Sequence, residues 1–98
     1  MNVEFRDRRI ERIVQERRGD GSYPIEVVRA LLKCAQALQE SPSTASFRST
    51  FKSMRLEKLK GDRKHQHSLR LNAKWRLIVE LQEGTPETAT VIEITDYH

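Results

Sequence analysis

Residues 68–81 read SLRLNAKWRLIVEL, and the pattern in this stretch decides the fold. Apolar and polar side chains alternate on both sides of a short polar link at residues 72–74. A period of two is typical of β-strands that bury one face and leave the other in water. The stretch therefore predicts two antiparallel strands joined by a tight hairpin. Residues 83–86 then mark a turn, and residues 90–95 form the last strand.

The N-terminal half of the chain has helical periodicity after a short first strand at residues 3–5. Asp7 is placed to cap a first helix, which Gly19-Asp20-Gly21 ends. Pro24 opens a second helix, because a proline in the first turn loses no hydrogen bond. The apolar stripe of this second helix spans residues 27–38.

Residues 41–50 are rich in Ser and Thr and predict a loop, which Phe47 and Phe51 hold against the core. Helices first and strands afterwards favour an α+β domain. We expect two N-terminal helices packed on a small antiparallel sheet of four to five strands. A length of 98 residues fits a single domain over residues 1–98.

The composition favours a cytoplasmic protein without a membrane segment. No apolar run approaches the roughly 20 residues that a membrane span needs. The first six residues include the charged Glu4 and Arg6 and lack the apolar core of a signal peptide. The single cysteine, Cys34, has no partner for an internal disulfide, which is typical of a reducing compartment. Its place on the apolar stripe of the second helix predicts a core residue rather than a nucleophile.

The net charge of +4 is unevenly distributed. Residues 52–76 carry nine Lys and Arg against Glu57 and Asp62, whereas residues 77–98 carry five acidic residues and no Lys or Arg. A concentrated basic block is the usual electrostatic footprint of a polyanion partner. A lysine-rich face that only contacts water would have the same composition, so this pattern alone leaves both readings open.

The last three residues, Asp96-Tyr97-His98, suit RNA cleavage without a metal. This chemistry needs a base for the ribose 2′-OH, an acid for the leaving 5′-oxygen and cations for the phosphorane. His98 can exchange protons near neutral pH, Tyr97 can stack on a base or donate a proton, and Asp96 can orient either. A solvent-exposed terminal tripeptide without function remains the alternative.

Basic residues that could contact RNA precede this tail in the second half of the chain. Arg70 and Arg76 lie on the polar faces of their strands, and arginine matches phosphate oxygens with its planar fork. Lys60 and Arg63 lie in or near the turn at residues 60–63. Lys74 in the hairpin and His67 complete the predicted RNA contacts. His65 and His67 have no cysteine or further close histidine to complete a metal site, so we expect none.

Four separated blocks also carry a family resemblance. They are Arg55-Leu56-Glu57-Lys58-Leu59-Lys60-Gly61-Asp62-Arg63, His67-Ser68-Leu69-Arg70-Leu71-Asn72, Trp75-Arg76-Leu77 and Asp96-Tyr97-His98. In this order and spacing the chain resembles the HigB group of the RelE/ParE toxin superfamily. The resemblance is dense over about residues 54–98 and extends to the N-terminal half only in layout.

The resemblance implies a RelE/ParE-like fold and the toxin of a bacterial type II toxin–antitoxin pair. Toxins of this group are mRNA interferases that enter the A site of the 70S ribosome and cut the message there. They use no metal and no organic cofactor. The implied partner is a cognate helix-turn-helix antitoxin of the HigA type, and operator DNA is bound only through that antitoxin.

Site roles carry over by position. Asp96, Tyr97 and His98 fall on the family's catalytic cluster, and Arg76 falls on its phosphate-stabilising arginine. Arg70 corresponds, with a small gap, to a basic strand residue that contacts RNA in RelE-like relatives.

Glu57 departs from those members of the group that have histidine at this position. Other similar members carry the Leu-Glu form, so the identity of the general base is left open. Glu57 could serve if burial raised its pKa, or His98 and Tyr97 could share both proton roles. Lys64-His65-Gln66 also replaces a glycine-containing turn, which predicts an altered loop.

Two other functions fit the same chain. A ParE-like inhibitor of DNA gyrase has the same implied fold, but a gyrase-binding surface has no need of a proton-transfer group. A non-catalytic RNA-binding module would use the basic block and not the histidine. His98→Ala separates the nuclease from the RNA-binding module, and translation and supercoiling assays separate it from the gyrase inhibitor.

Overall fold

The computed structural model describes residues 1–96, so the predicted catalytic residues Tyr97 and His98 lie outside them. Within residues 1–96 the chain forms three α-helices and one five-stranded sheet, which confirms the predicted α+β class. Two 3₁₀ turns, at Lys52–Met54 and Gly61–Arg63, flank the shortest strand. The elements are, in chain order, β1 (Asn2–Phe5), α1 (Arg8–Glu16), α2 (Ile25–Glu40), α3 (Thr44–Thr50), β2 (Glu57–Lys58), β3 (His67–Arg70), β4 (Trp75–Gln82) and β5 (Thr88–Asp96).

The hairpin predicted from residues 68–81 is confirmed. β3 and β4 pair antiparallel, with Leu69 opposite Leu77 and Arg70 opposite Arg76. β5 pairs antiparallel with the other side of β4, as the pattern of residues 90–95 predicted. The order of strands across the sheet is β1-β5-β4-β3-β2.

β1 departs from the antiparallel arrangement that we expected. It pairs in parallel with β5, with Val3 opposite Ala89 and Phe5 opposite Val91, so the sheet is mixed. An alternating pattern identifies a strand and its buried face, but it does not encode the direction of the neighbouring strand. That direction depends on where the helices carry the chain between the two edges.

The prediction of a loop at residues 41–50 was wrong, because α3 occupies most of this segment. Ser43 caps α3 by accepting a hydrogen bond from the backbone N–H of Ser46 at 3.1 Å. Phe47 is fully buried and packs against Phe51, with ring centroids 5.4 Å apart. The cap and the burial of one aromatic ring outweigh the low helix propensity of Ser and Thr.

α1 begins as predicted and ends earlier than predicted. Asp7 caps it by accepting hydrogen bonds from the backbone N–H groups of Arg9 and Ile10. Its last helical residue is Glu16, since Arg17 adopts the left-handed conformation with φ of 58°. The glycines that we expected to end α1 therefore belong to the connection to α2.

The helices cover one face of the sheet. Leu69, Leu77, Val79 and Val91 of the sheet are fully buried in the same cluster as the apolar residues of α1 and α2. Cys34 lies in this core, as predicted, and burial raises the pKa of its thiol to about 12. The thiolate is therefore scarce at neutral pH, which agrees with a packing role.

The opposite face of the sheet is partly covered and partly exposed to solvent. Ile78 lies on this face by alternation, yet it is fully buried. Residues 59–66 cross the face next to it: Arg63 reaches Glu93 of β5, and Gln66 reaches Glu80 of β4. The connection between β2 and β3 and the outer face of the sheet together form the walls of a cavity.

Candidate functional site

A cavity of about 470 Å³ lies between this connection and the outer face of the sheet. Four residues predicted for the site line it, from three separate segments of the chain: Glu57, Lys60, Arg63 and Arg76. The remaining wall consists of Lys58, Leu59 and Ser68. The tertiary structure thus brings together residues that lie up to 19 positions apart in the sequence.

Strand register explains why these side chains meet. Glu57 of β2 is opposite Ser68 of β3, and Ser68 is opposite Ile78 of β4. Residues in direct register on one face of an antiparallel sheet have Cβ atoms about 5 Å apart. Arg76 lies two residues before Ile78, and therefore on the same face. The cavity floor is a short row of side chains across three strands.

Arg76 is anchored to the hairpin that precedes it. Its Nη1 donates hydrogen bonds to the carbonyl oxygens of Asn72 at 2.8 Å and Trp75 at 3.1 Å. Asn72 in turn accepts hydrogen bonds on its side chain from the backbone N–H groups of Lys74 and Trp75. The half-buried guanidinium is therefore held by a closed turn, which orients its planar fork relative to the cavity.

Arg63 is held by two partners on the other wall. Its Nε donates to Oε1 of Gln66 at 2.8 Å, and its Nη2 donates to Oε2 of Glu93 at 2.7 Å. Both side chains of the Arg63–Glu93 pair are more than two-fifths exposed, so water and salt screen the attraction. The pair therefore adds little to the stability of the fold. Its main effect is to fix the position of the Arg63 guanidinium beside the cavity.

Glu80 anchors the same connection to β4. Gln66 Nε2 donates to Glu80 Oε2 at 3.2 Å, and Arg6 and His65 lie within 3.6 Å of the carboxylate. The hydrogen bond from Gln66, with the charge of Arg6, holds the pKa of Glu80 below its usual range. Glu80 therefore stays ionised at neutral pH and keeps Gln66 in place under Arg63.

We had expected Asp96 to lie just past the last strand. It is instead the last described residue of β5. It is opposite Trp75 in the β4–β5 pair, and Arg76 is opposite Thr95. Its Oδ2 lies 3.5 Å from Nζ of Lys74. The start of the terminal tripeptide is therefore on the strand next to Arg76, while Tyr97 and His98 lie outside the described residues.

Glu57 lines the cavity but is exposed. The burial that would have suited its carboxylate to a base role is therefore absent. The proton-transfer roles of Glu57 and of the terminal tripeptide stay predictions.

Comparison with known proteins identifies the family. The family model for the RelE-like toxin of the type II toxin–antitoxin system HigB matches residues 3–98. This chain belongs to the HigB-like toxin family. A solved structure, the YoeB/ParE toxin from Agrobacterium tumefaciens, covers 100% of both chains with a TM-score of 0.62 and 17% sequence identity. At that identity the likeness shows the fold alone. No curated protein matches significantly.

The resemblance that the four sequence blocks indicated is thus confirmed, as is the RelE/ParE-like fold. The HigB-like chain is the toxin component of a type II system, which implies an antitoxin partner. Within residues 1–96 none of the helices is long and apolar enough to span a membrane.

His67 of the HigB-like toxin lies away from the cavity. It is opposite Val79, on the face of the sheet that the helices cover, and it lines a separate small cavity beside Leu81. Its Nδ1 is buried and has no hydrogen-bond partner among residues 1–96. Burial lowers the pKa of His67, and the charges of Arg48 and Lys58 add to the effect.

The lowered pKa of His67 predicts a pH-dependent stability. The contribution of the neutral imidazole to the free energy of unfolding is fully present above the unfolded pKa of 6.5. It is lost as the pH falls from there through the lower folded pKa, because the unfolded chain then binds a proton that the folded chain does not. We expect His67→Gln to flatten the free energy of unfolding between about pH 7 and pH 5 in urea titrations. Lys58→Gln, which removes only a nearby charge, should flatten it less; an unchanged slope in His67→Gln would contradict the assignment.

Three residues that frame the cavity were absent from the sequence-based prediction: Ser68, Gln66 and Glu93. Ser68 alternates with apolar residues in β3, and this signal could have placed it beside Arg76. Nothing local marks Gln66 or Glu93 as partners of Arg63, since Glu93 lies 30 residues further along the chain. The two remaining predicted contacts lie elsewhere, with Lys74 beside Asp96 and Arg70 at a second cavity.

Proposed function

We propose that this HigB-like toxin is an mRNA endonuclease that acts in the ribosomal A site of the bacterial cytoplasm. The observation that carries the proposal is the cavity in which Lys60, Arg63 and Arg76 converge. Cations from separate segments suit the binding of a phosphate. They lie next to β5, the strand that precedes His98 in the sequence, so a proton-transfer group would be near that phosphate. The neutralising partner would be a HigA-like antitoxin.

The proposed reaction is an internal transfer at the phosphate. The ribose 2′-oxygen attacks phosphorus while a base takes its proton, and an acid protonates the 5′-oxygen as its bond to phosphorus breaks. The products are a 2′,3′-cyclic phosphate and a 5′-hydroxyl, so atoms and protons balance without a metal. Arg76 would stabilise the charge on the phosphorane, and Lys60 and Arg63 would hold the flanking backbone.

Proton transfer is assigned to the terminal tripeptide. His98 would exchange protons with the reacting oxygens, and Tyr97 would share this role or stack on a base. Asp96, the last described residue of β5, would orient them because it directly precedes them in the sequence. Glu57, exposed on the cavity wall, would contact the RNA backbone through a sugar hydroxyl.

Primer-extension mapping of cellular messages after induction of the toxin tests this function. We expect new 5′ ends inside open reading frames, and the same cuts on programmed ribosomes in vitro. A parallel DNA supercoiling assay tests the ParE-like alternative. Inhibited gyrase with intact messages would replace the nuclease by a gyrase inhibitor, and inhibited translation with intact messages would replace it by an RNA-binding module.

Lys60→Ala tests the phosphate contact in the cavity. Lys60 is exposed, and no carboxylate within residues 1–96 forms an ion pair with it. Loss of one phosphate contact to single-stranded RNA should reduce the slope of log K against log salt by about 0.7. The loss of ribosome or RNA affinity should therefore be largest at low salt, as measured by fluorescence anisotropy. Arg12→Ala on α1 is the control, and a salt-independent loss in Lys60→Ala would exclude a phosphate contact.

A further inference from the structure

A second cavity, of about 310 Å³, lies between α2 and the free end of β3. It differs from the first in having an apolar floor under a basic rim. The rim comprises Arg29 and Lys33 of α2 and Arg70 of β3, with Glu26 at one end. The floor comprises Ala30, Cys34, Met54 and Leu71.

The rim has an excess of positive charge. Arg29 and Lys33 are four residues apart on α2, so they project from the same side of the helix, and both are exposed. In the described part of the chain, neither they nor Arg70 form an ion pair with a carboxylate. Glu26, the single acidic residue among those lining the cavity, accepts a hydrogen bond from Nδ2 of Asn72 at 3.2 Å. Three cations against one carboxylate favour an anionic ligand.

The apolar floor favours a nucleotide over a bare phosphate as the ligand of this cavity. Met54 is half-buried, and its Sδ, 3.8 Å from Sγ of the buried Cys34, offers a polarizable contact that suits the face or edge of a ring. A volume of about 310 Å³ is within the range of sites for small organic ligands. A base against the floor with its phosphate at the rim uses both parts of the cavity.

Each of the two cavities takes one lining residue from the β3–β4 strand pair. Arg70, at the rim of the second cavity, is directly opposite Arg76, which lines the first. Such partners have Cα atoms about 5 Å apart. β2 pairs only with His67 and Ser68, so β3 is left uncovered by β2 from Leu69 onward and the path around the sheet edge is short. An RNA strand with a phosphate at Arg76 can therefore place a neighbouring nucleotide in the second cavity.

We propose that the second cavity is a subsite for a nucleotide that flanks the cleaved bond. Arg29 and Lys33 contact its phosphates, and its base lies on the part of the floor formed by Ala30 and Met54. The subsite gives the toxin a contact with the message that is separate from its contact with the reacting phosphate. This inference rests on the proposed nuclease function, but its binding test does not depend on cleavage.

The probe is a short fluorescent 2′-O-methyl oligoribonucleotide, which lacks the attacking hydroxyl and cannot be cut. The test variant is Arg29→Gln/Lys33→Gln in the full chain. We expect it to bind about tenfold more weakly than the unchanged protein near 0.05 M salt, with the slope of log K against log salt reduced by about 1.4 for two lost contacts. The matched control is Arg8→Gln/Arg12→Gln on α1, which removes the same charge at the same spacing from exposed positions. This control should change affinity less than about twofold.

Equal losses in the test variant and the control would overturn the subsite, because they would show a general effect of net charge. Absence of probe binding by the unchanged protein would overturn it too, as would loss of antitoxin binding without loss of RNA binding. Selective loss of probe binding in a protein that cuts no messages would support the subsite and reject the nuclease. If the unchanged protein cuts messages and the test variant still binds the probe normally, the subsite is rejected and the nuclease function stands.

Discussion

His98→Ala should reduce message cleavage by about 10²–10⁴-fold, the usual contribution of a general acid or base. The seven side chains that line the first cavity in the described part of the chain supply cations, one exposed carboxylate and one hydroxyl, but no imidazole. A phosphorane flanked by cations still needs a group that gives and takes protons near neutral pH. His98, two residues after Asp96 in the sequence, is our candidate for this role.

The measurement is single-turnover cleavage on programmed ribosomes, read by primer extension. His65→Ala is the matched control, because His65 lies on the exposed connection beside Glu80. We expect it to cleave within a few-fold of the unchanged protein. A His98→Ala protein that remains fully toxic would show that the biological effect comes from binding alone, as the RNA-binding alternative predicts.

Arg76→Ala should lower the rate of cleavage by about 10²–10³-fold, as expected for the loss of one donor to a developing anionic charge. Its fold should persist, because Arg76 is half-exposed and the two bonds that its Nη1 donates to carbonyl oxygens are worth about 1 kcal/mol each. A circular-dichroism melt run beside the cleavage assay separates the two effects.

Arg76→Lys is the second variant for this position. Lysine keeps the charge but not the planar fork, so it should recover part of the activity and little of the bidentate geometry. Wild-type cleavage by Arg76→Ala, with an unchanged melting temperature, would remove Arg76 from the reaction. Cleavage recovered fully by lysine would show that charge, and not the fork, is what the phosphate requires.

Much of the fold is predictable because it depends on local periodicity. The alternation in residues 68–81 predicts both strands of the hairpin and the face that each buries. Two features were not predictable from it. α3 forms because Phe47 is buried in the core, and β1 lies beside β5 because the helices carry the chain from the β1 edge of the sheet to the opposite edge, where β2 begins. Both outcomes depend on contacts between distant segments.

The site divides in a similar way. Residue type and order were enough to select Arg76, Lys60, Arg63 and Glu57, which the fold gathers around one cavity. His67 was selected for the same reasons, yet its register places it on the helix-covered face. A change of one position along a strand moves a side chain to the opposite face, so residue type alone cannot separate these two cases.

The sequence by itself determined the fold class, the basic character of the second half and the membership of the HigB-like family, because these depend on periodicity, composition and the spacing of short blocks. Only the tertiary structure decided which basic residues share a surface. Arg63 is held by Glu93 across 30 positions of sequence, and Arg29 of α2 shares a rim with Arg70 of β3. Such contacts arise from strand register and helix packing, which bring together side chains whose local sequences do not specify one another.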